Sequence, residues 1–415
     1  MDRTIFHIDV NSAFLSWEAV YRLEILGEQV DLREIPSAVA GSMKERSGII
    51  LAKSIPAKKY GIKTAETISE AVKKCPGLVI VKPRYGLYEK CSHAFIDLLK
   101  EYAPIVEQCS IDEAYADLSG TLGIYGSPVI LANTIKDRIR NELGFTVNVG
   151  ISTNKILAKM ASDFKKPDLV HTLYPDEIQK KLWPLPIDEM FFVGRASAPR
   201  FHMLGIHTIG ELANMDLDIL RCQVGEKYAE VLYCFANGID TGEVKEVAAP
   251  NKGYGVSLTI PFDVNSKEVA ENILLALSEN LGARLRRHQV MTSCLSVEIK
   301  DRFFVSKSHQ RQLYSPTSTT MELYDMARRL YNELWDQVSY IRQIGIRSTK
   351  LTPQGGRQYN LFEEDKYDKY SRLDCAVDKI RQEYGDDSII RSSFLGSSIY
   401  HLSGGISPEK QGTLK

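Results

Sequence analysis

The chain has little of what marks a secreted, membrane-spanning or zinc-stapled protein. Its 415 residues include only 7 cysteines, an odd number, widely scattered and never in a Cys-x-x-Cys pair. Neither a disulfide framework nor a structural zinc site is therefore expected. No apolar run approaches the roughly 18–20 residues needed to cross a bilayer. The opening stretch MDRTIFHIDV carries Asp2 and Asp9 and has no uninterrupted apolar core, so no signal peptide is expected. The expected setting is a reducing cytoplasm, with no membrane partner. Net charge is also scarce. With 52 Lys+Arg against 53 Asp+Glu the chain carries −1, and its overall balance does not announce a nucleic-acid partner.

The charge is nevertheless uneven. Residues 249–352 hold 14 basic and 10 acidic side chains, and the remainder holds 38 and 43. A modestly basic module attached to a more acidic one suits phosphate-backbone contact beside a metal-binding carboxylate site. Apolar residues make up 44 % and charged residues 25 %, ordinary values for a globular chain. The length suggests two to four domains.

Periodicity places the elements. Residues 4–10 alternate as a short buried strand ending at Asp9, and an apolar helix follows from about Ala13 to Leu26. Residues 48–52 read as a second buried strand and Leu87 to Tyr102 as an amphipathic helix. A strand over 109–118, a helix near 129–143 and a strand over 145–152 come next. Residues 193–210 hold two short helical patterns joined by a Leu-Gly-Ile turn, and 236–252 is a polar, Gly/Pro-punctuated linker. Beyond it the pattern is strand, helix, strand, strand, helix, strand. Val269, Ile273, Leu277, Leu281 and Leu285 line one helical face, and Leu323, Met326, Leu330 and Leu334 line the other.

Three carboxylates carry the chemistry. Asp9 ends one strand, and Asp112 and Glu113 sit together in another about a hundred residues later. Carboxylates brought together repel unless a cation neutralises them. Magnesium suits such a site, because it takes oxygen ligands and keeps positions for water and substrate phosphate. Taken alone, the triad is also what ordinary strand-end acids look like.

The words around it decide more. HIDVNSAF, AKKYGIKT, CSIDEAYADL and GISTNKILAKMASDFKKP occur in this order, and together they resemble the Y-family translesion DNA polymerases over about residues 1–350. The resemblance implies that Asp9, Asp112 and Glu113 bind two Mg2+ ions, with the Val10 carbonyl as a further ligand. It implies that Phe14 lies under the incoming sugar and excludes a ribose 2′-hydroxyl by steric clash. Lys166 and Lys58 are implied to contact the triphosphate. The chain departs from the family here: many relatives have Thr, Tyr and Arg where it has Ala52, Ile55 and Lys58. Ile55 cannot donate a hydrogen bond, and Lys58 lacks the guanidinium fork.

Residues 193–210 resemble the helix-hairpin-helix of the family's thumb, which offers backbone amides to a DNA phosphate. Gly194-Arg195-Ala196 replaces the usual GIG turn, and Arg195 offers a charged contact in its place. The module at 249–352 resembles the family's DNA-gripping little finger, with Lys300, Arg302, Lys307, Arg342, Arg347 and Lys350 as its basic edges. QYNLF resembles the bacterial sliding-clamp box, with Gln358, Leu361 and Phe362 as its anchors. The remaining segment resembles the C-terminal extension of a Gram-positive branch of the family, and no role is assigned to residues 366–415.

The expected architecture is α+β, a multidomain right hand. The palm is expected at 1–12 and 82–173 as an antiparallel sheet with helices behind it. The fingers fall at 13–81, the thumb at 174–241, the four-stranded little finger at 249–352 and a clamp-binding tail at 353–415. The expected activity is low-fidelity, template-directed extension of a primer across damaged DNA with deoxynucleoside triphosphates, by a monomer that the sliding clamp recruits. A nucleotidyl cyclase uses a similar palm but usually shows a GG[DE]EF turn, absent here. A catalytically weak, clamp-tethered DNA-binding scaffold is the non-enzymatic alternative, and loss of a metal carboxylate would favour it.

Overall fold

The computed structural model describes residues 3–41, 48–246, 250–355, 357, 364–396 and 399–402. Its strands are β1 (Ile5–Val10), β2 (Ser37–Ala40), β3 (Ile50–Lys53), β4 (Val79–Val81), β5 (Ile105–Gln108), β6 (Glu113–Asp117), β7 (Val147–Ser152), β8 (Val170–Thr172), β9 (Gly253–Val264), β10 (Val290–Asp301), β11 (Ser306–Thr317) and β12 (Ile341–Pro353). The chain divides into two compact units. Met1–Val39 and Ile50–Ala248 belong to the first, Ala40–Ile49 and Ala249–Lys415 to the second.

The first unit is built on a five-stranded sheet of order β5-β6-β1-β7-β8. β1 lies in its centre and is buried along its whole length. A strand turns alternate residues to opposite faces. Phe6, Ile8 and Val10 therefore share a core with Tyr88, Phe95, Leu131 and Ile135, from helices Tyr85–Lys100 and Pro128–Arg138. Ile5 faces the other way, onto Tyr115 and Ala158, and His7 and Asp9 follow it by parity. Helix Lys155–Asp163 covers that face, and Gly150 on β7 lets it come close. A Cβ at Gly150 would stand 2.0 Å from the Ala158 carbonyl oxygen.

The fingers region holds a smaller sheet of order β3-β2-β4. Short helices Ala198–Met203 and Ile209–Ala213 follow in the thumb region, separated by a turn in which Gly205 takes φ 76°. Phe201, Ile209 and Leu212 are buried there with Leu220 and Leu232.

The second unit is a four-stranded antiparallel sheet of order β11-β10-β12-β9. Helices Lys267–Arg287 and Thr320–Leu334 cover one face, burying Ile273, Leu277, Leu281, Leu323 and Leu330 against Val256, Leu295, Val297 and Ile346.

Four local expectations change. The strand expected over 109–118 begins only at Glu113, because Ile105–Gln108 pairs antiparallel with Ala114–Asp117 and the chain must reverse between them. The Cys109 and Ser110 amides both donate to the Glu113 carbonyl oxygen in that turn. The helix from Ala13 is α-helical only to Val20 and continues as a π-helical turn, Tyr21–Ile25. The palm sheet is mixed, since β7 and β8 run parallel. Finally, the described part of the supposed tail packs into the second unit. Helix Glu364–Tyr384 offers Asp374 and Asp378 to Arg286 at 3.2 and 2.6 Å. Arg381 and Arg391 both bind the buried Glu279 carboxylate, and Phe394 and Ile399 enter the core. The clamp-box residues Gln358, Leu361 and Phe362 lie outside the described residues. Among the described residues no helix is long and apolar enough to cross a membrane.

Removing one partner of a buried ion pair leaves the other charged and desolvated. Glu279→Ala strands both Arg381 and Arg391, so it should destabilise the second unit by about 3 kcal/mol or more. Hydrogen exchange of the β10 and β12 amides checks this, and unchanged protection would contradict it.

Candidate active site

The β1–β6 register sets Asp9 directly across from Glu113. The Val10 amide donates to the Asp112 carbonyl at 3.0 Å, which fixes the turn beside the strand end. Asp9 and Glu113 thus share a sheet face, with the covering helix Lys155–Asp163 above them. Lys159 on that helix binds Glu113 Oε1 at 2.5 Å and stands 3.9 Å from Asp9 Oδ2. Lys166, just past the helix, binds Asp9 Oδ2 at 3.0 Å and Asp163 at 2.9 Å. Asp112 turns to Ser110, whose hydroxyl donates to Oδ1 at 2.6 Å.

The electrostatics follow from burial. Burial pushes the Asp9 carboxyl up to about 7, with the attraction of Lys166 pulling down and the nearby Glu113 pushing up. Burial also opposes ionisation of Glu113, but hydrogen bonds from Lys159 and Asp9 hold its carboxyl below the usual range. Lys166 is desolvated too, yet Asp9 and Asp163 hold its ammonium above its ordinary value. His7 lies on the same strand face. Burial, with Lys159 and Lys166 nearby, pushes it well below its ordinary value. Ser162 donates to the Lys159 carbonyl, so His7 Nδ1 donates to Ser162 Oγ at 2.8 Å, and Nε2 is left facing Glu113 at 4.0 Å.

Asp9, Val10, Phe14, Leu51, Lys53, Thr64 and Asp112 line a cleft of about 240 Å3. Phe14 stacks on Tyr88, ring centroids 4.8 Å apart, and meets Tyr85 edge-on at 6.1 Å. It is therefore both a packed ring and part of the cleft wall. The oxygen-only donor set fits a hard divalent ion such as Mg2+. The three side chains are not yet converged. Among the described residues no group of three His, Cys, Asp or Glu is close enough to hold a metal; Lys166 engages Asp9, Lys159 engages Glu113 and Ser110 engages Asp112.

Residues 8–163 match the impB/mucB/samB family and residues 251–361 its C-terminal domain. DNA polymerase IV of Clostridium acetobutylicum is 42 % identical over 395 residues, covering 95 % of this chain and 99 % of that protein. The chain belongs to the impB/mucB/samB family. DNA polymerase IV 2 of Bacillus subtilis is 33 % identical, with 95 % of each chain covered. A solved Y-family DNA polymerase chimera, Dbh-Dpo4(243-245)-Dbh, matches with a TM-score of 0.74 at 25 % identity, over 85 % of this chain and all of that one. Residues 175–206 match the family's HHH motif, and 192–240 match the thumb domain described for DNA polymerase-iota.

Against that family, the structure brings Asp9, Val10, Phe14 and Asp112 to one cleft, with Glu113 and Lys166 beside Asp9. Lys58 is exposed on the short helix Ile55–Lys59, Ile55 is exposed, and Ala52 is buried in the fingers core with Leu15 and Val39. In the thumb, Gly194 and Arg195 are exposed, and the Gly194 amide already donates to Ser197 Oγ at 3.0 Å. In the second unit, Arg347 borders a broad groove of about 770 Å3 on the helix-free face of the sheet. Gly255, Ser257, Ser296, Ser308 and Gly345 keep its floor low. Arg302 and Arg342 lie over Phe303 and Phe304, and Lys307 approaches Asp336 at 3.6 Å.

Sequence reasoning missed Lys159, His7 and Lys53. Lys159 stands inside the quoted ILAKMAS segment, one helical turn after Lys155, which Glu107 engages. His7 shares the strand parity of Asp9.

The raised Asp9 carboxyl has a measurable sign. Between about 4 and about 7 the folded chain holds a proton that the unfolded chain, with its aspartate near 3.8, has released. Metal-free stability should therefore fall as pH rises through that interval, and Asp9→Asn should remove that part of the fall. Thermal denaturation in chelator at about pH 5 and about pH 7.5 checks it, and equal pH dependence of both proteins would contradict it.

Proposed function

We infer that this chain is a DNA-directed DNA polymerase of the Y family that carries out translesion synthesis. The observation that carries the reading is Asp9, paired across the strands with Glu113 and lining a cleft with Asp112 and Phe14. The names of its relatives support it. A catalytically weak scaffold is not favoured, because all three carboxylates are retained.

In the proposed reaction the primer 3′-oxygen bonds to the α-phosphorus of a deoxynucleoside triphosphate, and the bond to pyrophosphate breaks. Asp9, Asp112, Glu113 and the Val10 carbonyl would hold two Mg2+ ions. When bound, these ions favour ionisation of the 3′-hydroxyl and stabilise the leaving oxygen. The chain's own residues supply position and charge. Asp9 and Glu113 are held on one sheet face by β1 and β6. Lys166, which binds Asp9 and Asp163 at the site, would contact the triphosphate. An ammonium on a flexible stem suits that contact. Phe14 walls the cleft where the sugar sits and excludes a 2′-hydroxyl by its bulk. Lys58 faces solvent near the same mouth and is the second triphosphate contact.

Primer-template DNA lies along the polar groove edged by Arg347, and Gly194, Arg195, Arg302, Lys307 and Arg342 supply further backbone contacts. Such contacts read phosphate rather than sequence, which suits a polymerase that must accept altered templates. The motif at Gln358, Leu361 and Phe362 recruits the sliding clamp, and the enzyme works as a cytoplasmic monomer. These assignments rest on the sequence motifs.

Asp112→Ala combined with Glu113→Ala should abolish nucleotide incorporation and leave duplex affinity within a few-fold, since metal positioning provides most of phosphoryl-transfer catalysis. Primer extension on undamaged and lesion-bearing templates, beside a duplex-binding titration, measures both. Extension by the double variant close to wild type would show that other groups do the chemistry.

A further inference from the structure

Lys53 stands where neither the metal site nor the family motif accounts for it. β3 alternates: Ile50 and Ala52 are buried, while Leu51 and Lys53 are partly open and line the cleft that holds Asp9, Asp112 and Phe14. The Lys53 ammonium bonds Thr64 Oγ1 at 3.0 Å, and Thr64 lines the same cleft. One of its three donors is used and the hydroxyl fixes its position, leaving two donors free of that contact.

Its charge is not matched locally. Among the described residues Lys53 makes no ion pair, and the acid that attracts it, Glu66, is bound to Lys74. A second ammonium, Lys58, is near enough to repel it, and burial together with that repulsion pushes Lys53 below its ordinary value. Lys53 lines the cleft with Lys58 close enough to repel it, and a phosphate bound beside Lys53 would relieve that repulsion.

We propose that Lys53, held by Thr64 in the wall of this cleft, binds a phosphate oxygen of the incoming nucleotide. The proposal rests on the polymerase reading above. The shared chemistry is a phosphate, and a template phosphodiester is the other source it could come from.

Single-nucleotide incorporation by wild type, Lys53→Ala, Lys53→Arg and Lys59→Ala, paired with nucleotide-free duplex binding by fluorescence anisotropy, separates these sources. Lys59 is exposed on the neighbouring helix and controls for general loss of charge. Lys53→Ala should raise KM for the deoxynucleotide about tenfold with kcat within about twofold, as expected for loss of a charge-assisted contact. Its duplex affinity should be unchanged, Lys53→Arg should recover most of the loss, and Lys59→Ala should match wild type. An unchanged KM would overturn the proposal, as would an equal rise in Lys59→Ala. A loss of duplex affinity in place of the KM effect would assign Lys53 to the DNA backbone and overturn it too. Wild-type extension in the same reactions tests the polymerase reading separately; its absence would overturn both.

Discussion

The antiparallel pairing of β1 with β6 forces Asp9 and Glu113 side by side, and the rest of the first unit is organised around that pairing. Two carboxylates on one buried sheet face repel, and burial penalises each charge further. The fold answers with two ammoniums, Lys159 over Glu113 and Lys166 over Asp9. Both come from the helix that crosses the sheet and its continuation. That helix can approach only because β7 carries Gly150. A site held this way costs stability that a packed apolar pair would not, which is the usual sign that the charges serve function. Asp112, the third carboxylate, is engaged by the Ser110 hydroxyl rather than by a lysine.

The fingers and cleft add openness to this arrangement. Phe14 is braced by Tyr85 and Tyr88, so its ring is a fixed wall. Leu51, Ala52, Lys53 and Thr64 from the fingers line the same cleft. In the second unit, two helices cover one sheet face and leave the other lined by glycine and serine. A low, polar floor suits backbone contact along a duplex.

Much of this was legible in the residues. The alternating strand to Asp9, the basic module with its strand-helix-strand-strand-helix-strand order, and the two apolar helical faces all follow from periodicity alone. The carboxylate roles needed the motif resemblance, since Asp112 and Glu113 by themselves read as ordinary acids. Tertiary facts were beyond reach. Nothing local marks Lys159 as the partner of Glu113, because the contact spans 46 residues and depends on Gly150. The turn at Cys109–Asp112 was hidden by β-forming residues on either side. The last segment reads as a tail in sequence because it follows the strand-helix-strand-strand-helix-strand module and its helix is rich in charge. Its acids and arginines are instead paired with Arg286 and Glu279 on a helix some ninety to a hundred residues earlier.

The central claim is that Asp9, Asp112 and Glu113 converge on divalent ions when Lys159 and Lys166 give way. Anomalous diffraction from crystals of the chain with primer-template, a non-hydrolysable deoxynucleotide and Mn2+ tests it most directly. The account predicts manganese peaks at coordination distance from the Asp9 and Asp112 carboxylates, with the Lys166 ammonium withdrawn from Asp9. Manganese bound elsewhere, with both lysines still on their carboxylates, would contradict it.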